Sequence, residues 1–464
     1  MEGEMENKIK EIGHDYVGEF GTAKISSLFW KYSMFGLFGL AFQGISAIFN
    51  GIFVGNGIGP MGLATIGIIV PFWLTTVGLF GLFAIGGSTL CAIKLGEGNY
   101  EGARKIYGSI IVFTAYFSIA LAAIVLINVE PILIFLGATP DLLPMAKSYV
   151  IPFMIGNPFA IVGTTAYYFT RAAEKPVAAA LFYNIPAVAV IFIEYLCIFK
   201  WGMGMEAPGV LWPIAVGTSV LLLIYLQRSN TPLKLTSSDF KVDMSIVLEA
   251  CKIGFVMFII QIASMAATII INNLIIKYGG NEWNIAAFSI INAYIAYILM
   301  VFTNAFITGI QPIASFNIGA KQYRRVAQLL KIGIIQSTIF IGVIWAFEFI
   351  FADKVISTFC GPIPPLVEAT KATMMFYLAL FAFGNIASIA SGYFASVRRN
   401  GFAILNGISR IIIFAGPLFF IMPTMFGIKG IWMAQPIADL LAFILAVACL
   451  TIEYKRLMKM PESI

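Results

Sequence analysis

The chain has 464 residues, 60% of them hydrophobic and only 11% charged, with a mean hydropathy of +0.91. That much apolar surface excludes a water-soluble domain and points to a polytopic membrane protein, consistent with its 41 Phe and 43 Gly. The formal net charge of +6 does not indicate a nucleic-acid partner, because the basic residues lie in short connections between apolar runs.

Residues 1–26 form a tail of mixed charge that holds the single histidine, His14, read as an exposed tail residue. The apolar run that follows is too long for a signal-peptide core and lacks a convincing cleavage site, so it is expected to stay as the first membrane helix. Cys91, Cys197, Cys251, Cys360 and Cys449 show no metal-binding or CxxC spacing. Four of them lie in or beside apolar runs and read as small buried hydrophobes. No metal and no cofactor is expected.

A hydrocarbon core about 30 Å thick takes about twenty apolar residues per helix. Twelve segments meet that standard, near 28–54, 62–94, 106–127, 148–170, 178–199, 209–227, 246–276, 285–311, 330–351, 371–396, 402–422 and 430–453. The fold class expected is an all-α membrane protein of twelve transmembrane helices in two six-helix bundles. Lysine and arginine set the orientation. One set of connections holds 21 of them, among them Lys94, Arg104, Lys105, Arg324, Arg325 and Lys455. The opposite set holds six: Lys147, Lys200, Lys277, Lys354, Lys371 and Lys429. Both termini are therefore expected on the cytoplasmic side.

The longest polar connection, Arg228–Ser245, lies at the midpoint and reads as a linker between two halves. The domains expected are a tail (1–26), an N-lobe (27–227), the linker (228–245), a C-lobe (246–453) and a short C-terminal tail (454–464). Gly86 and Gly309, Gly96 and Gly319, Tyr100 and Tyr323, and Pro213-Ile214-Ala215 and Pro436-Ile437-Ala438 all recur 223 residues apart (309 − 86). Two equally oriented halves imply a pseudo-twofold axis along the membrane normal. The stretch GIQPIASFNIGAKQYRR, from Gly309 to Arg325, reads as a helix exit near Gln311-Pro312 followed by a close-packed turn, repeated weakly at Gly86–Lys105.

Ionisable groups within spans are costly and usually face a cavity or a partner. Glu194 lies in the fifth span, roughly 24 Å from the inner face by helical rise. Asp439, in the twelfth, and Arg410, in the eleventh, sit at similar depth near the middle, which allows either a coupling site or a structural ion pair. A carboxyl group in apolar surroundings favours its neutral form and gives up its proton when water or a cation reaches it. Glu249 and Glu348 lie nearer helix ends and read as interfacial. Among neutral polar residues, Gln43 and Asn50 are seven apart and share a helix face. Gln43, Gln261 and Asn292, with Arg410, are the candidate substrate-cavity residues. Pro71, Pro152, Pro158, Pro186, Pro213, Pro312, Pro417 and Pro436 lie in or at the ends of spans and can kink them. Enzyme signatures and a channel filter motif are missing, so an enzyme is not expected.

These residues carry a family resemblance. FNGIFVGNGIGPMGLATIGIIVP, GSTLCAIKLGEGNYEGARK, GIQPIASFNIGAKQYRR and GIWMAQPIADLLAF resemble stretches of the MATE (multidrug and toxic compound extrusion) family, and nearly the whole chain is similar to its MepA-like prokaryotic branch. The resemblance implies two lobes forming a V around a central cavity. It also implies plasma-membrane export of small, often cationic compounds in exchange for H⁺ or Na⁺ by alternating access. In the family, acids of the first and fifth helices form a cation site. Here Asn50 stands at the first position and Glu194 at the second, while Val190 replaces an Asn often found one turn earlier. That departure favours proton coupling over Na⁺. Asp439 matches the twelfth-helix acid and Arg410 a basic residue of the branch. Glu194, Asp439 and Asn50 are thus the candidate cation-coupling residues. The partners expected are small-molecule substrates, the coupling cation and membrane lipids, with the protein a monomer. The alternatives are a lipid-linked oligosaccharide flippase of the same superfamily, which would need several cationic residues in its cavity, and, remotely, a membrane enzyme.

Overall fold

The computed structural model describes residues 18–461 except 137, 279–283, 285–286, 289 and 361–363. His14 and the side chains of Gln43, Pro71 and Cys360 lie outside the described residues.

Helices carry the described chain, as an apolar medium demands of a backbone whose every polar group must pair internally. A short α1 (Glu19–Thr22) precedes α2 (Ile25–Gly57), α3 (Pro60–Gly96) and α4 (Tyr100–Ile127). A brief α5 (Val129–Phe135) leads to α6 (Leu143–Ala172) and α7 (Pro176–Phe199). The next span joins α8 (Glu206–Gly217) to α9 (Leu221–Arg228) through a 3₁₀ turn, and α10 (Met244–Lys277) follows the linker. A π-helical turn, Ile291–Ile295, opens into α11 (Ala296–Gly319). Then come α12 (Tyr323–Ile350), α13 (Ala352–Cys360), α14 (Pro364–Tyr377) and α15 (Phe381–Ser396). The last two spans are α16 (Asn400–Ile408), continued through a π-helical segment at Ser409–Ala415 into α17 (Gly416–Phe426), and α18 (Ile428–Leu457). Among the described residues, eleven helices are long and apolar enough to cross a membrane, or twelve if the bent pair α14–α15 is one span.

The chain divides into two compact units. The first holds the described residues up to Ala23, Phe38–Phe258 and Ser315–Lys321; the second holds Lys24–Leu37, Ile259–Ala314 and the chain from Gln322 onward.

Glycines set the closest approaches within each unit. In the first, Gly254 of α10 rests on the Leu82 carbonyl of α3, and Gly86 of α3 rests on that of Ala250. A Cβ at any of these positions would overlap backbone atoms. In the second unit Gly36 of α2 abuts Ala305 of α11, and Gly309 abuts Ser33. Small residues let helix backbones touch, and dispersion then replaces the hydrophobic drive that lipid cannot supply. Leu82 and Ala305 stand 223 residues apart (305 − 82), the offset of the sequence repeat. A further contact closes on itself inside the first unit: Gly96 packs on the Phe316 carbonyl, and Gly319 on that of Ile93. Ile93 and Phe316 are again 223 apart (316 − 93).

The repeated stretch differs from the sequence expectation in one respect. The chain does not leave its helix near Gln311-Pro312; α11 continues to Gly319, and α3 continues to Gly96. Pro312 costs one backbone hydrogen bond, which a long packed helix tolerates. The turn falls at Lys321, with φ of 56°. Proline also fails to mark one large bend. Helices α14 and α15 meet at 57°, across Leu378–Leu380, a segment without proline.

The linker is packed rather than loose. Asp239 caps its 3₁₀ turn by accepting from the Thr236 N–H at 2.8 Å. Gly108 of α4 lies against the Asp239 carbonyl, and the Asp243 N–H donates to the Ser109 hydroxyl at 2.9 Å. Arg104 lies 3.9 Å from the Asp239 carboxylate. At the N-terminus the Glu174 carboxylate accepts the N–H groups of Glu19 and Phe20, each at 2.8 Å. The Phe20 ring is fully buried beside Phe316, and Asn317 donates to the Phe20 carbonyl at 3.0 Å.

Candidate functional site

Two polar centres lie within the apolar bulk, one in each unit. The first joins α2 and α7, which run parallel. The Ser46 hydroxyl donates to the Ala187 carbonyl at 3.2 Å, and Gly57 lets Ile198 approach further along. Between these points the Asn50 side-chain amide donates to Glu194 Oε1 at 2.5 Å. Glu194 is only 3% exposed. Its surroundings are apolar, with Val54, Cys197, Ile198 and Met205 in one buried cluster and Val190 packed against it. The Phe53 ring meets those of Tyr195 and Phe199 edge to face, with centroids 5.8 and 5.9 Å apart, and the Tyr195 and Phe199 rings lie tilted at 5.0 Å. The only hydrogen-bond partner of the carboxylate among the described residues is thus neutral, and no guanidinium or ammonium bonds to it.

The second centre joins α15, the π-helical segment and α18. Arg410 Nε donates to Asp439 Oδ1 at 2.5 Å and Nη2 to Oδ2 at 3.4 Å. Gln435, one turn before Asp439, donates to Oδ1 at 3.0 Å. Arg410 Nη1 reaches the Asn385 side-chain oxygen at 3.3 Å, and the guanidinium lies 4.2 Å from the centre of the Phe381 ring. Asp439 is fully buried and Arg410 is 7% exposed. Local backbone explains the convergence. Phe381 opens α15 directly after the 57° bend. Gly384 brings α15 so close that a Cβ would run into the Asp439 carboxylate. The π-helical turn widens α16–α17 at the residue that carries the guanidinium. Such bulges are rare and concentrate where a side chain must be re-aimed.

Of the residues singled out from sequence, the structure brings Asn50 to Glu194 and Arg410 to Asp439. Gln261 and Asn292 are half-buried in the second unit, and neither bonds to Arg410 or Asp439. Asn292 shares with Arg410 a place in a π-helical turn. Two members of the second centre escaped the sequence reading of the site, Asn385 and Gln435. The spacing of four between Gln435 and Asp439 was the available signal for the latter. Glu249 is half-buried, whereas Glu348, expected at the interface, is 3% exposed inside the second unit. Among the described residues no three His, Cys, Asp or Glu side chains gather to hold a metal ion.

Comparison with known proteins agrees with this architecture. The MatE family model matches residues 36–196 and 253–403. The probable multidrug resistance protein YoeA of Bacillus subtilis is 23% identical over 421 residues, covering 87% of this chain and 88% of that protein. The multidrug export protein MepA of Staphylococcus saprophyticus is 24% identical over 427 residues, 88% of this chain and 89% of its own. Among solved structures, an outward-facing multidrug resistance MATE family transporter of the MOP superfamily superposes with a TM-score of 0.88 at 17% identity, over 95% of this chain and 98% of that one. A MOP superfamily transporter from Pyrococcus furiosus, described as having a binding pocket of reversed polarity, superposes with the same score and identity over the same shares. With family matches across both halves and a multi-pass helical architecture, the chain belongs to the MatE family of membrane transporters.

Proposed function

We propose that the protein exports small organic compounds, often cationic, across the plasma membrane by alternating access, in exchange for inward-moving H⁺ taken up at Glu194. The names of the relatives, a probable multidrug resistance protein and a multidrug export protein, support the substrate class. One observation carries the coupling: Glu194 is a buried carboxyl group whose partner is the neutral Asn50 amide. An unpaired charge in an apolar interior is strongly disfavoured, so occupancy of this group by a cation tracks access to water. With an amide where a second acid would stand, the site offers a single carboxylate, which suits a proton better than Na⁺. A metal cation needs several oxygen ligands, as Ca²⁺ and Mg²⁺ do. Asp439, already matched by Arg410, contributes a neutral polar patch that contacts substrate through the Asn385 and Gln435 edge. Gln43, Gln261 and Asn292 line the substrate path in this reading, the lobes divide at the linker, both termini are cytoplasmic, and the protein works as a monomer.

The test is proton movement in proteoliposomes driven by ethidium. Glu194→Gln should abolish it while the protein stays folded and monodisperse; normal antiport by that variant would refute the assignment.

A further inference from the structure

The buried face of α12 runs through Leu330, Gly333, Ser337 and Ile341 and ends at Glu348. Trp345, one turn before Glu348, fixes the rotation of this helix end: its ring N–H donates to the Leu378 carbonyl at 2.8 Å, in the bend between α14 and α15. Residues three apart share a helix face, so Glu348 continues along the side that Trp345 anchors. Both carboxyl oxygens of Glu348 lack a hydrogen-bond partner among the described residues, and the group is 3% exposed.

The neighbouring charges do not answer it. Helices α2, α11, α13, α15 and α18 pack against α12; α11 has no charged residue, and Lys31, the charged residue of α2, adjoins Trp30, whose ring meets Phe340 about two turns before Glu348. On α13, Asp353 is held by Lys371 of α14 at 2.7 Å, and Lys354 is exposed. Helix α15 has no charged residue. On α18, Asp439 is engaged by Arg410 and Gln435, Glu453 by Arg456 at 3.0 Å, and Lys429 is exposed. A buried carboxylate with neither counter-ion nor donor is not sustained in an apolar interior; a bound cation must neutralise it. A metal ion needs further oxygen ligands, and the Leu378 carbonyl in the bend already accepts from the Phe381 N–H and the Trp345 ring N–H. The cation that fits is a proton.

We propose that Glu348 is a proton-exchange site of the second unit, separate from Glu194 and serving the same transport cycle, which rests on the proton-coupled reading above. In the sealed arrangement one Oε carries the proton. When the bend at Leu378–Leu380 shifts and water reaches the end of α12, the O–H bond breaks, the proton passes to water and a carboxylate remains. The next closure takes one proton back.

Protons released on ethidium binding to the purified full chain, counted with a pH indicator in weak buffer, test this alongside the carboxylic-acid carbonyl band in infrared difference spectra. Glu348→Gln should lower the release by one equivalent per chain and remove part of the band, whereas Glu348→Asp should retain both. Unchanged release and an unchanged band in a folded Glu348→Gln variant would overturn the proposal. Should that variant fail to fold, a carbonyl band identical in position and size to the parent's in Glu348→Asp would overturn it equally. The two readings separate on Glu194→Gln. If that variant loses release while Glu348→Gln does not, the Glu348 site falls and coupling at Glu194 stands. If neither variant changes release, both fall.

Discussion

Replacing Arg410 by Met offers the sharpest energetic test of the second centre. The substitution removes both guanidinium bonds to Asp439 and leaves Gln435 Nε2, at 3.0 Å, as the remaining donor to a fully buried carboxylate. It also uncovers the Asn385 side-chain oxygen, whose amide nitrogen already has no partner among the described residues. Removing one member of a buried ion pair costs about 3–5 kcal/mol, most of it the penalty for stranding the other charge. Replacing both members by apolar groups of similar volume is typically neutral or stabilising by about 1–4 kcal/mol. Arg410→Met should therefore destabilise the purified protein by about 3–5 kcal/mol, and adding Asp439→Leu should restore most of that loss. Equilibrium unfolding in mixed detergent micelles, run as a double-mutant cycle, measures both quantities. A single variant within about 1 kcal/mol of the parent, or a double variant as unstable as the single, would refute the reasoning.

Three further outcomes are expected. Asp439→Asn should weaken efflux of cationic substrates more than that of neutral ones in cells; equal loss for both would mark the residue as a structural partner of Arg410 alone. Gly96→Ala and Gly319→Ala each drive a Cβ into a backbone carbonyl, that of Phe316 or Ile93. Each should cost about 1–3 kcal/mol by the overpacking rule, read as lower thermal stability on size-exclusion chromatography, and an unshifted melting curve would contradict the contact. Glu174→Gly relieves a positive φ of 60° but removes the acceptor for the Glu19 and Phe20 N–H groups. Trypsin should then cut at Lys24 faster than in the parent, and an equal rate would show that the carboxylate does not hold the segment.

Much of this architecture was legible from residues alone because the bilayer imposes one strong rule: a span needs length and apolarity, and both are read by counting. The same rule put Arg410 and Asp439 at similar depth and so left room for their pairing, beside the reading of Asp439 as a coupling site. It did not reveal where α11 ends. Pro312 and the small residues after it resemble a helix exit, yet Gly319 is a packing surface for the Ile93 carbonyl and the helix continues to meet it. Glu348 was hidden for a related reason. Its nearness to a helix end suggests an interfacial residue, and only the Trp345 anchor on Leu378 shows which way that end faces. Asn385 was visible as a polar residue in a span, but its role depends on the bend before Phe381, and no proline announced that bend.

The central claim is export coupled to protons through Glu194. Its most direct test is ethidium transport by the reconstituted protein under separately imposed H⁺ and Na⁺ gradients. The account predicts uphill transport with the H⁺ gradient alone, lost in Glu194→Gln, and none with Na⁺ alone. Transport driven by Na⁺ without a pH gradient, or H⁺-driven transport that survives Glu194→Gln, would contradict it.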